Sequence, residues 1–476
     1  MIKALAPVAA LLFSMAMLLM GNGLQSTLLP MRAQIENFGS VAIGVLGSAY
    51  FVGFALGCWR GAIVVRQAGH IRAFTAVVAI ASTSALVHAL IRDPVVWWIV
   101  RLISGICIAI LFMVIESWLN EKATNETRGT VFSVYTAINL TMVAGGQVIL
   151  AFGEPGGFPL FLLASILISW AAVPLALSRT ETPAPIEHVG IRIGYLLRLS
   201  PVGFVGSFAV GVANGSFWAL APVAVQGEGR DASFAAIFIA VSVIAGAVGQ
   251  YPLGKASDRT DRRRIIIAAS LLAAVTGLCL ALFGGVSREV MLILGFGFGM
   301  FAFPLYSLCV AHANDFVEGK SFVEAASGLL LTWAAGAVVG PVIASAVMTQ
   351  LGTPGLFYFT TVVQVVFAIF VFIRMRQRQA IPAQTRGTFV EAANAGQTVS
   401  QVDPGLSEEP APLPPELAAR QDAAAEAAET DGMPVPAADT EPEDAAPPPE
   451  TAILDGTEVT SDADTVEGAD GKPKPA

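Results

Sequence analysis

The chain repeats part of its sequence 192 residues further on, within strongly apolar segments. Asn22-Gly23 followed by Pro30 recurs as Asn214-Gly215 followed by Pro222. The polar stretch 66–72 aligns at the same offset with 258–264, and so do six small or apolar positions: Ala55, Gly57, Ala81, Leu86, Ala89 and Leu90 with Ala247, Gly249, Ala273, Leu278, Ala281 and Leu282. No gap interrupts this diagonal, so the sequence predicts two related halves.

The composition is that of a membrane protein, with 55% hydrophobic residues, 13% charged residues and a mean hydropathy of +0.68. A bilayer core about 30 Å thick requires ~20 apolar residues for each spanning helix. We count twelve such runs: 6–30, 41–65, 72–91, 95–118, 130–151, 158–178, 201–225, 233–254, 264–284, 289–313, 324–348 and 355–373. The prediction is an all-α membrane protein with twelve transmembrane helices in two pseudo-symmetric six-helix bundles.

Basic residues in the connections predict the orientation. Placing both termini in the cytoplasm puts 17 Lys and Arg residues inside and four outside, namely Arg32, Arg92, Arg230 and Arg288. The first run is too long for a signal peptide, and Asn22–Pro30 contains no small-residue cleavage site. We therefore expect a multi-pass protein of the bacterial inner membrane with both termini in the cytoplasm.

Net charge separates the membrane part from a C-terminal tail. Residues 380–476 contain 20 acidic and 4 basic residues, while the preceding 379 residues contain 16 acidic and 23 basic ones. The predicted domains are a first bundle (1–178), a cytoplasmic linker (179–200), a second bundle (201–378) and a tail (379–476). Fourteen prolines among residues 380–476 predict disorder, although a binding role for the tail stays open.

Several function classes lack the residues that they need. Cys58, Cys107, Cys279 and Cys309 lie in apolar runs without CxxC spacing, so we expect neither a disulfide framework nor a metal site. The chain has no GxxxxGK[ST] loop, which excludes ATP-driven pumping by this chain alone. No Cys/His/Asp cluster has the spacing of a catalytic site. We expect no enzyme activity, no cofactor and no nucleic-acid partner.

Three groups of motifs resemble the major facilitator superfamily over residues 1–378. Gly254-Lys-Ala-Ser-Asp258-Arg259-Thr-Asp261-Arg262-Arg263 is similar to the family loop G-x-x-x-D-R-x-G-R-R, with Asp261 replacing the second glycine. Arg101-x-x-x-Gly105-x-x-x-Ala109 is similar to the family's second motif. Ser48–Gly53, Ile115-Glu116-Ser117 and Gly249–Gly254 resemble the YcaD-type bacterial branch, whose substrates are largely unassigned.

Two departures from the family pattern limit what the resemblance implies. Arg66 occupies the position equivalent to Asp258 in the first half, so the acidic part of the loop motif is missing there. Gly145-Gly146-Gln147 lacks the following proline of the antiporter pattern G-x-x-x-G-P, and a similar element, Gly336-x-x-x-Gly340-Pro341, lies in the eleventh run instead. The sequence therefore does not support antiport.

Arg101 and Glu116 are the candidates for charge recognition and coupling, because a charge within a span is costly and usually faces a cavity. The resemblance implies a role for Arg101 in substrate charge or proton coupling, while the alternative is an arginine that snorkels to the headgroups. Glu116 lies ~22 Å along the same helix and cannot pair with Arg101. It could carry a proton, or it could be an ionised residue at the inner interface that pairs with Arg128 or another loop cation.

Amide and tryptophan side chains are further candidates for the substrate site. Gln25 and Trp218 are the preferred contacts on the first and seventh helices, ahead of Asn22 and Asn214, whose Asn-Gly pairs could simply shape a bend. Three weaker candidates are amides that could serve only to hydrogen-bond across helices: Asn139, Gln147 and Gln250.

The loop around Asp258 is a candidate cytoplasmic gate. A carboxylate near a helix N-terminus is stabilised there and also binds nearby arginines. The gate residues are Gly254, Asp258, Arg259, Arg262, Arg263 and, in the first half, Arg66. Anchoring of positive charges on the inner side is the alternative for the arginines.

These observations predict a secondary transporter that moves a small, neutral or singly charged molecule by rocking of its two halves, with proton coupling expected. The expected partners are that substrate, the lipid bilayer and protons, and we expect a monomer. The alternative is a non-transporting membrane sensor or scaffold with a similar body and a signalling tail.

Overall fold

A computed structural model describes residues 8–123, 127–177, 193–316, 321–377 and 389. These ranges contain helices and no strand. The first half holds seven helices: α1 (Ala9–Ile35), α2 (Ser40–Ala68), α3 (His70–Leu90), α4 (Pro94–Lys122), α5 (Arg128–Ala151), α6 (Pro159–Trp170) and α7 (Ala172–Leu177). The remainder holds eight: α8 (Ile193–Leu199), α9 (Pro201–Gly227), α10 (Ala232–Arg259), α11 (Arg262–Phe283), α12 (Arg288–Ala302), α13 (Leu305–Asn314), α14 (Ser321–Leu351) and α15 (Gly355–Gln377).

Twelve apolar segments in the described ranges are long enough to cross a membrane, as the sequence predicts. Two of these segments are interrupted: α6 and α7 meet at Ala171, and α12 and α13 are separated by Phe303 and Pro304. The predicted end of the first span at Pro30 is wrong, because α1 continues to Ile35. Near the end of this helix, the side chain of Arg32 binds Glu36 at 2.6 Å, one turn later.

The predicted linker is partly helical, because α8 covers Ile193–Leu199 and Ser200 caps α9 by accepting a hydrogen bond from the Gly203 N–H. The structure does not describe residues 178–192, 378–388 and 390–476. The prediction that the tail is disordered therefore falls outside the described residues.

The helix boundaries follow the sequence repeat. α1 and α9 both contain 27 residues, and they begin at Ala9 and Pro201 and end at Ile35 and Gly227, each 192 residues apart. α3 and α11 begin at His70 and Arg262, again at that offset. Pro30 and Pro222 lie inside the corresponding helices. The structure therefore confirms that the two halves are related.

The fully described connections between helices are short, and their residues define the helix ends. Asp93 accepts hydrogen bonds from the N–H groups of Val95 and Val96, and Asp231 accepts one from Phe234, so each carboxylate caps a helix N-terminus. Gly69 alone separates α2 from α3 and has φ of 81°, a left-handed conformation that favours glycine.

Glycines bring helices of the same half into close contact. A Cβ on Gly53 would overlap the backbone carbonyl of Leu102, and a Cβ on Gly57 would lie 2.6 Å from the Cβ of Ala109. Gly105 of α4 is equally close to the carbonyl of Tyr50 in α2. Backbone contact at this distance leaves no room for a side chain at Gly53.

The two ends of the bundle are distinguished by their connections. We call the end with connections 36–39, 91–93, 152–158, 228–231, 284–287 and 352–354 the Asp93 face, and the opposite end the Asp258 face. Contacts between the halves are tight on the Asp93 side: a Cβ on Gly44 would lie 2.7 Å from the Pro341 carbonyl oxygen, and Ser233 donates to the Ala151 carbonyl at 2.6 Å. An apolar cluster that includes Leu28 and Phe217 spans both halves there.

Candidate functional site

A cavity of about 270 Å³ lies between the two halves, near the middle of the spans. Residues of α1, α2, α4, α5, α9 and α14 line it. Its wall is mostly aromatic and aliphatic, with Tyr50, Phe51, Phe54, Phe112, Trp218 and Trp333 contributing rings. Its polar side chains are Asn22, Ser26, Arg101 and Asn139. An apolar wall with few polar groups is typical of a small-molecule site.

Arg101 is the charged residue of the described cavity wall. Its side chain is 6% exposed, and the guanidinium carbon lies 4.2 Å from the centroid of the Tyr50 ring. Nη1 of Arg101 is buried and has no hydrogen-bond partner. Asn22 hydrogen-bonds the Tyr50 hydroxyl group. A buried cation with an unused donor therefore faces a largely apolar cavity.

The packing of α2 against α4 positions this cation–π pair. Gly105, one turn after Arg101, leaves room for the Tyr50 carbonyl, so the α2 backbone approaches α4 closely. The Tyr50 ring also lies 5.3 Å from the Phe51 ring, and Phe51 contacts Trp333 across the interface between the halves at 5.6 Å. The position of Arg101 is thus linked to a ring cluster that spans both halves.

The remaining predicted substrate residues are divided by the structure. Asn22, Asn139 and Trp218 line the cavity, whereas Gln25, Asn214, Gln147 and Gln250 are not among its lining residues. Gln147 donates to the Gly23 carbonyl at 2.8 Å, and Gln250 donates to Ser307 at 3.5 Å. Gln25 and Asn214 are buried with one unpaired atom each, Nε2 and Oδ1. Asn22 rather than Gln25 thus provides the cavity amide of α1.

Glu116 lies apart from the cavity wall, toward the Asp258 face. Its side chain is fully buried, and the Tyr135 hydroxyl of α5 donates to it at 2.5 Å. The sequence also suggests that Glu116 pairs with Arg128, whose side chain is outside the described part of the chain. The described contact of the Glu116 carboxylate is thus with a buried phenol of the neighbouring helix.

An ion-pair network lies at the Asp258 face of the second half. Arg262, at the start of α11, is 1% exposed and binds Asp258 of α10 and Asp315 after α13, each at 2.9 Å. Its Nη1 also donates to Ser257 at 3.0 Å. Arg262 thereby joins the ends of three helices of one half. Arg263 binds Asp261 at 2.7 Å, while Arg259 and Arg66 are exposed.

Asp261 caps α11 and carries a depressed pKa. Burial raises the pKa of this carboxyl, but hydrogen bonds from the Arg263 side chain and backbone N–H outweigh that effect, so the net shift is downward. Because the pKa of Asp261 is lower in the folded state than in the unfolded state, the ionised carboxylate stabilises the folded state at pH values above the usual Asp pKa. This stabilisation is lost as pH falls through the lowered pKa.

Sequence reasoning missed Tyr50, Trp333 and Asp315. Tyr50 lies within the Ser48–Gly53 motif, and its position four residues from Phe54 places both rings on one face of α2. Asp315 is an acidic residue directly after an apolar run, at the same face as the arginines of the Asp258 loop. Trp333 carries no local signal that separates it from the other apolar residues of α14.

Comparison with known proteins gives a consistent result. The family model described as the Major Facilitator Superfamily matches residues 11–322 and 203–422. A curated protein of Enterobacter sp. strain 638, described as an uncharacterised MFS-type transporter, is 25% identical over 79% of this chain and 96% of its own length. The MFS-type transporter YcaD of Escherichia coli O6:K15:H31 is 24% identical over the same shares of the two chains.

Solved structures agree in fold. The crystal structure of the nucleoside transporter NupG superposes with a TM-score of 0.68 at 13% identity, over 78% of this chain and 99% of NupG. A bacterial homologue of the human lysosomal transporter Spinster, in an inward-facing and occupied conformation, gives 0.65 at 15% identity over 80% and 98% of the two chains. At these identities the likeness concerns the fold alone.

Proposed function

Because the chain belongs to the Major Facilitator Superfamily, a family of membrane transporters and not of enzymes, we propose that it is a secondary transporter with its substrate site in the central cavity. In this proposal, a small molecule that is neutral or singly charged crosses the inner membrane by alternating access of the two halves. The expected absence of enzyme activity agrees with this family. YcaD-like relatives support the branch assignment that the motifs indicate.

The observation that carries the proposal is a cavity between two related halves that touch tightly on one side of it. Contacts at Gly44, Gly47 and Ser233 restrict access from the Asp93 face. Rocking that opens these contacts and closes the Asp258 side would expose the same residues to the other compartment. The excess of basic residues on the Asp258 side supports a cytoplasmic location for that face.

The charge balance of the cavity favours a substrate with one negative charge or one strong hydrogen-bond acceptor. A buried cation without a counterion is costly, and a bound acceptor at the free Nη1 of Arg101 would lower that cost. The aromatic wall suits a flat apolar body. The cavity volume of about 270 Å³ lies just below the range typical of drug-sized ligands, which supports a compact substrate with about one ring.

We propose that Glu116 is the proton-coupling residue. It is a buried carboxylate within a span that accepts a hydrogen bond from Tyr135, and such groups commonly mark proton pathways. Its distance from the cavity wall implies indirect coupling, in which protonation changes the contact between α4 and α5 rather than contacting the substrate. An ionised structural Glu116 remains the competing role, and it predicts transport that does not depend on a proton gradient.

The non-transporting alternative has the same body but a different output. It requires ligand binding without net movement, with the acidic tail carrying the signal. No described contact of the cavity favours it, and the distinction is made by measuring flux.

The test combines binding with flux on the purified full chain. A thermal-shift screen of metabolites at two pH values should identify monoanionic aromatic compounds, since a ligand at 100 times its Kd stabilises the fold by about 2.7 kcal/mol. A hit should then be accumulated by proteoliposomes, faster with an imposed proton gradient. A hit that binds but shows no counterflow would support the sensor, and a polyphosphate hit would contradict the proposed substrate class.

A further inference from the structure

Phe389, which follows the last spanning helix in the chain, is buried in the membrane domain. Phe389 is 4% exposed and belongs to an apolar cluster of the second half that includes Val202, Leu305 and Cys309. Its ring lies against Gly254, where a Cβ would overlap the ring atom Cδ1. Phe389 therefore occupies a space on α10 that exists because residue 254 is glycine.

The backbone of the same residue is also bound. The Phe389 N–H donates to Oδ1 of Asp258 at 2.9 Å, and that oxygen also accepts from Arg262 at 2.9 Å. Asp258 thus joins the Phe389 backbone to the ion-pair network that reaches Asp315 through Arg262. A hydrogen bond to a charged acceptor is stronger than one between neutral groups.

The first half lacks this arrangement. At the 192-residue offset, Ala62 stands where Gly254 lies and Arg66 stands where Asp258 lies, so both the space and the acceptor are absent. A surface that binds one additional segment is needed in one half only. We therefore expect the residues that form it to differ between the halves, as they do here. α15 ends at Gln377, and the twelve residues from there to Phe389 can extend ~40 Å, enough to reach α10 without strain.

We propose that Gly254, Asp258 and the adjoining apolar cluster form a docking site for the chain's own C-terminal segment, with Phe389 as its anchor. The Phe389 ring fills the space above Gly254, and the Phe389 N–H donates a hydrogen bond to the Asp258 carboxylate. Docking holds the start of the acidic tail at the Asp258 face and couples it to the network around Arg262. The loop around Asp258 therefore binds a segment of its own chain in addition to its role within the bundle.

Limited trypsin digestion of the purified full-length protein tests this site. Arg386 lies three residues before the anchor and Arg420 lies well beyond it, so one digest contains both the reporter and its internal reference. Cleavage after Arg386 should accelerate roughly tenfold in Phe389→Ala, because burial of a phenyl ring holds the docked population and proteolysis follows the open one. Cleavage after Arg420 should be unchanged, and Leu406→Ala, the same kind of truncation within the tail, should leave both rates at wild-type values.

Gly254→Ala provides the complementary arm, since its methyl group displaces the ring while Phe389 is retained. It should accelerate cleavage after Arg386 to the same extent, and the double variant should show no further increase, as expected for two sides of one contact. Equal rates at Arg386 and Arg420 in the wild-type protein, or additive effects of the two substitutions, would overturn the proposal. Size-exclusion profiles and melting temperatures establish that each variant is folded. The readout requires no transport, so a failure here is separate from a failure of the proposed function.

Discussion

At the scale of single residues, the same chemistry has different consequences in different surroundings. Arg101 and Arg60 each lie with the guanidinium carbon 4.2 Å from an aromatic centroid, of Tyr50 and Trp59 respectively. Arg101 is buried at the cavity, whereas Arg60 is exposed on the outside of α2. Only the first can contribute its charge to a ligand in the cavity, which makes the pair a natural comparison.

We expect Arg101→Gln to weaken binding of an anionic ligand by tenfold or more, since a charge-assisted hydrogen bond contributes ~1.5–3 kcal/mol. Arg101→Lys should recover part of the affinity, because the ammonium keeps the charge but loses the planar contact with Tyr50. Arg60→Gln should leave the affinity unchanged. Calorimetric titration of the three variants measures these effects, and equal losses for Arg101→Gln and Arg60→Gln would remove Arg101 from the site.

Glu116 has a matched control on the same helix. Glu116→Gln keeps the shape and the hydrogen bond with Tyr135 but cannot exchange a proton, so uptake should lose its dependence on the proton gradient. Glu121→Gln changes an exposed residue of α4 and should retain the wild-type profile. Proteoliposome uptake across pH 5.5 to 8 provides the measurement. A wild-type pH profile in Glu116→Gln would assign the carboxylate a structural role.

The part of the site that could be predicted from sequence is the part with an unusual residue type. Arg101 in the cavity wall stands out because charges are rare within spans, and so does Glu116 outside the wall. Asn22 and Trp218 stand out because they interrupt apolar runs. Tyr50 and Trp333 do not stand out, since aromatic residues are as common in helix packing as in a cavity wall. Gln25 and Asn22 share a face by spacing, and only the packing of neighbouring helices decides which one reaches the cavity.

At the scale of helices, the glycine contacts are graded. A Cβ on Gly53 would overlap backbone atoms of Leu102 and lie 3.1 Å from the Ile106 nitrogen, so α2 and α4 would have to separate. A Cβ on Gly61 would meet side-chain atoms of Ile110 and Met113 at 3.0 Å and 3.4 Å, and these can move. The same helix stripe therefore contains a rigid contact and a tolerant one.

Gly53→Ala should destabilise the protein by ~1–3 kcal/mol, the usual cost of overpacking, whereas Gly61→Ala should be close to neutral. Because Gly53 and Gly105 belong to the contact that holds Tyr50 beside Arg101, Gly53→Ala should also weaken ligand binding. Melting temperatures in detergent compare the two variants. A larger loss for Gly61→Ala than for Gly53→Ala would show that the α2–α4 distance is set elsewhere.

At the scale of the whole molecule, the repeat predicts the architecture, and departures from it mark specialised positions. Hydropathy and spacing suffice for the twelve spans, because each helix must satisfy its backbone within the bilayer. They do not predict the break at Pro304 or the relative tilt of the halves, which depend on packing across the interface. At the position equivalent to Arg262, the first half has His70, whose described side-chain hydrogen bond is to Ser117 at 3.3 Å and not to a carboxylate.

The tail distinguishes the transporter from the sensor. Deletion of residues 390–476 removes all 20 acidic residues counted in the tail but keeps Phe389. If the body transports by itself, flux in proteoliposomes should stay within about twofold of the full chain, since the twelve spans and the cavity residues are all retained. Loss of all flux with intact ligand binding would favour the signalling role. Deletion from residue 380 removes the anchor as well, so any difference between the two truncations measures the contribution of residues 380–389, which include Phe389, and not that of the acidic residues.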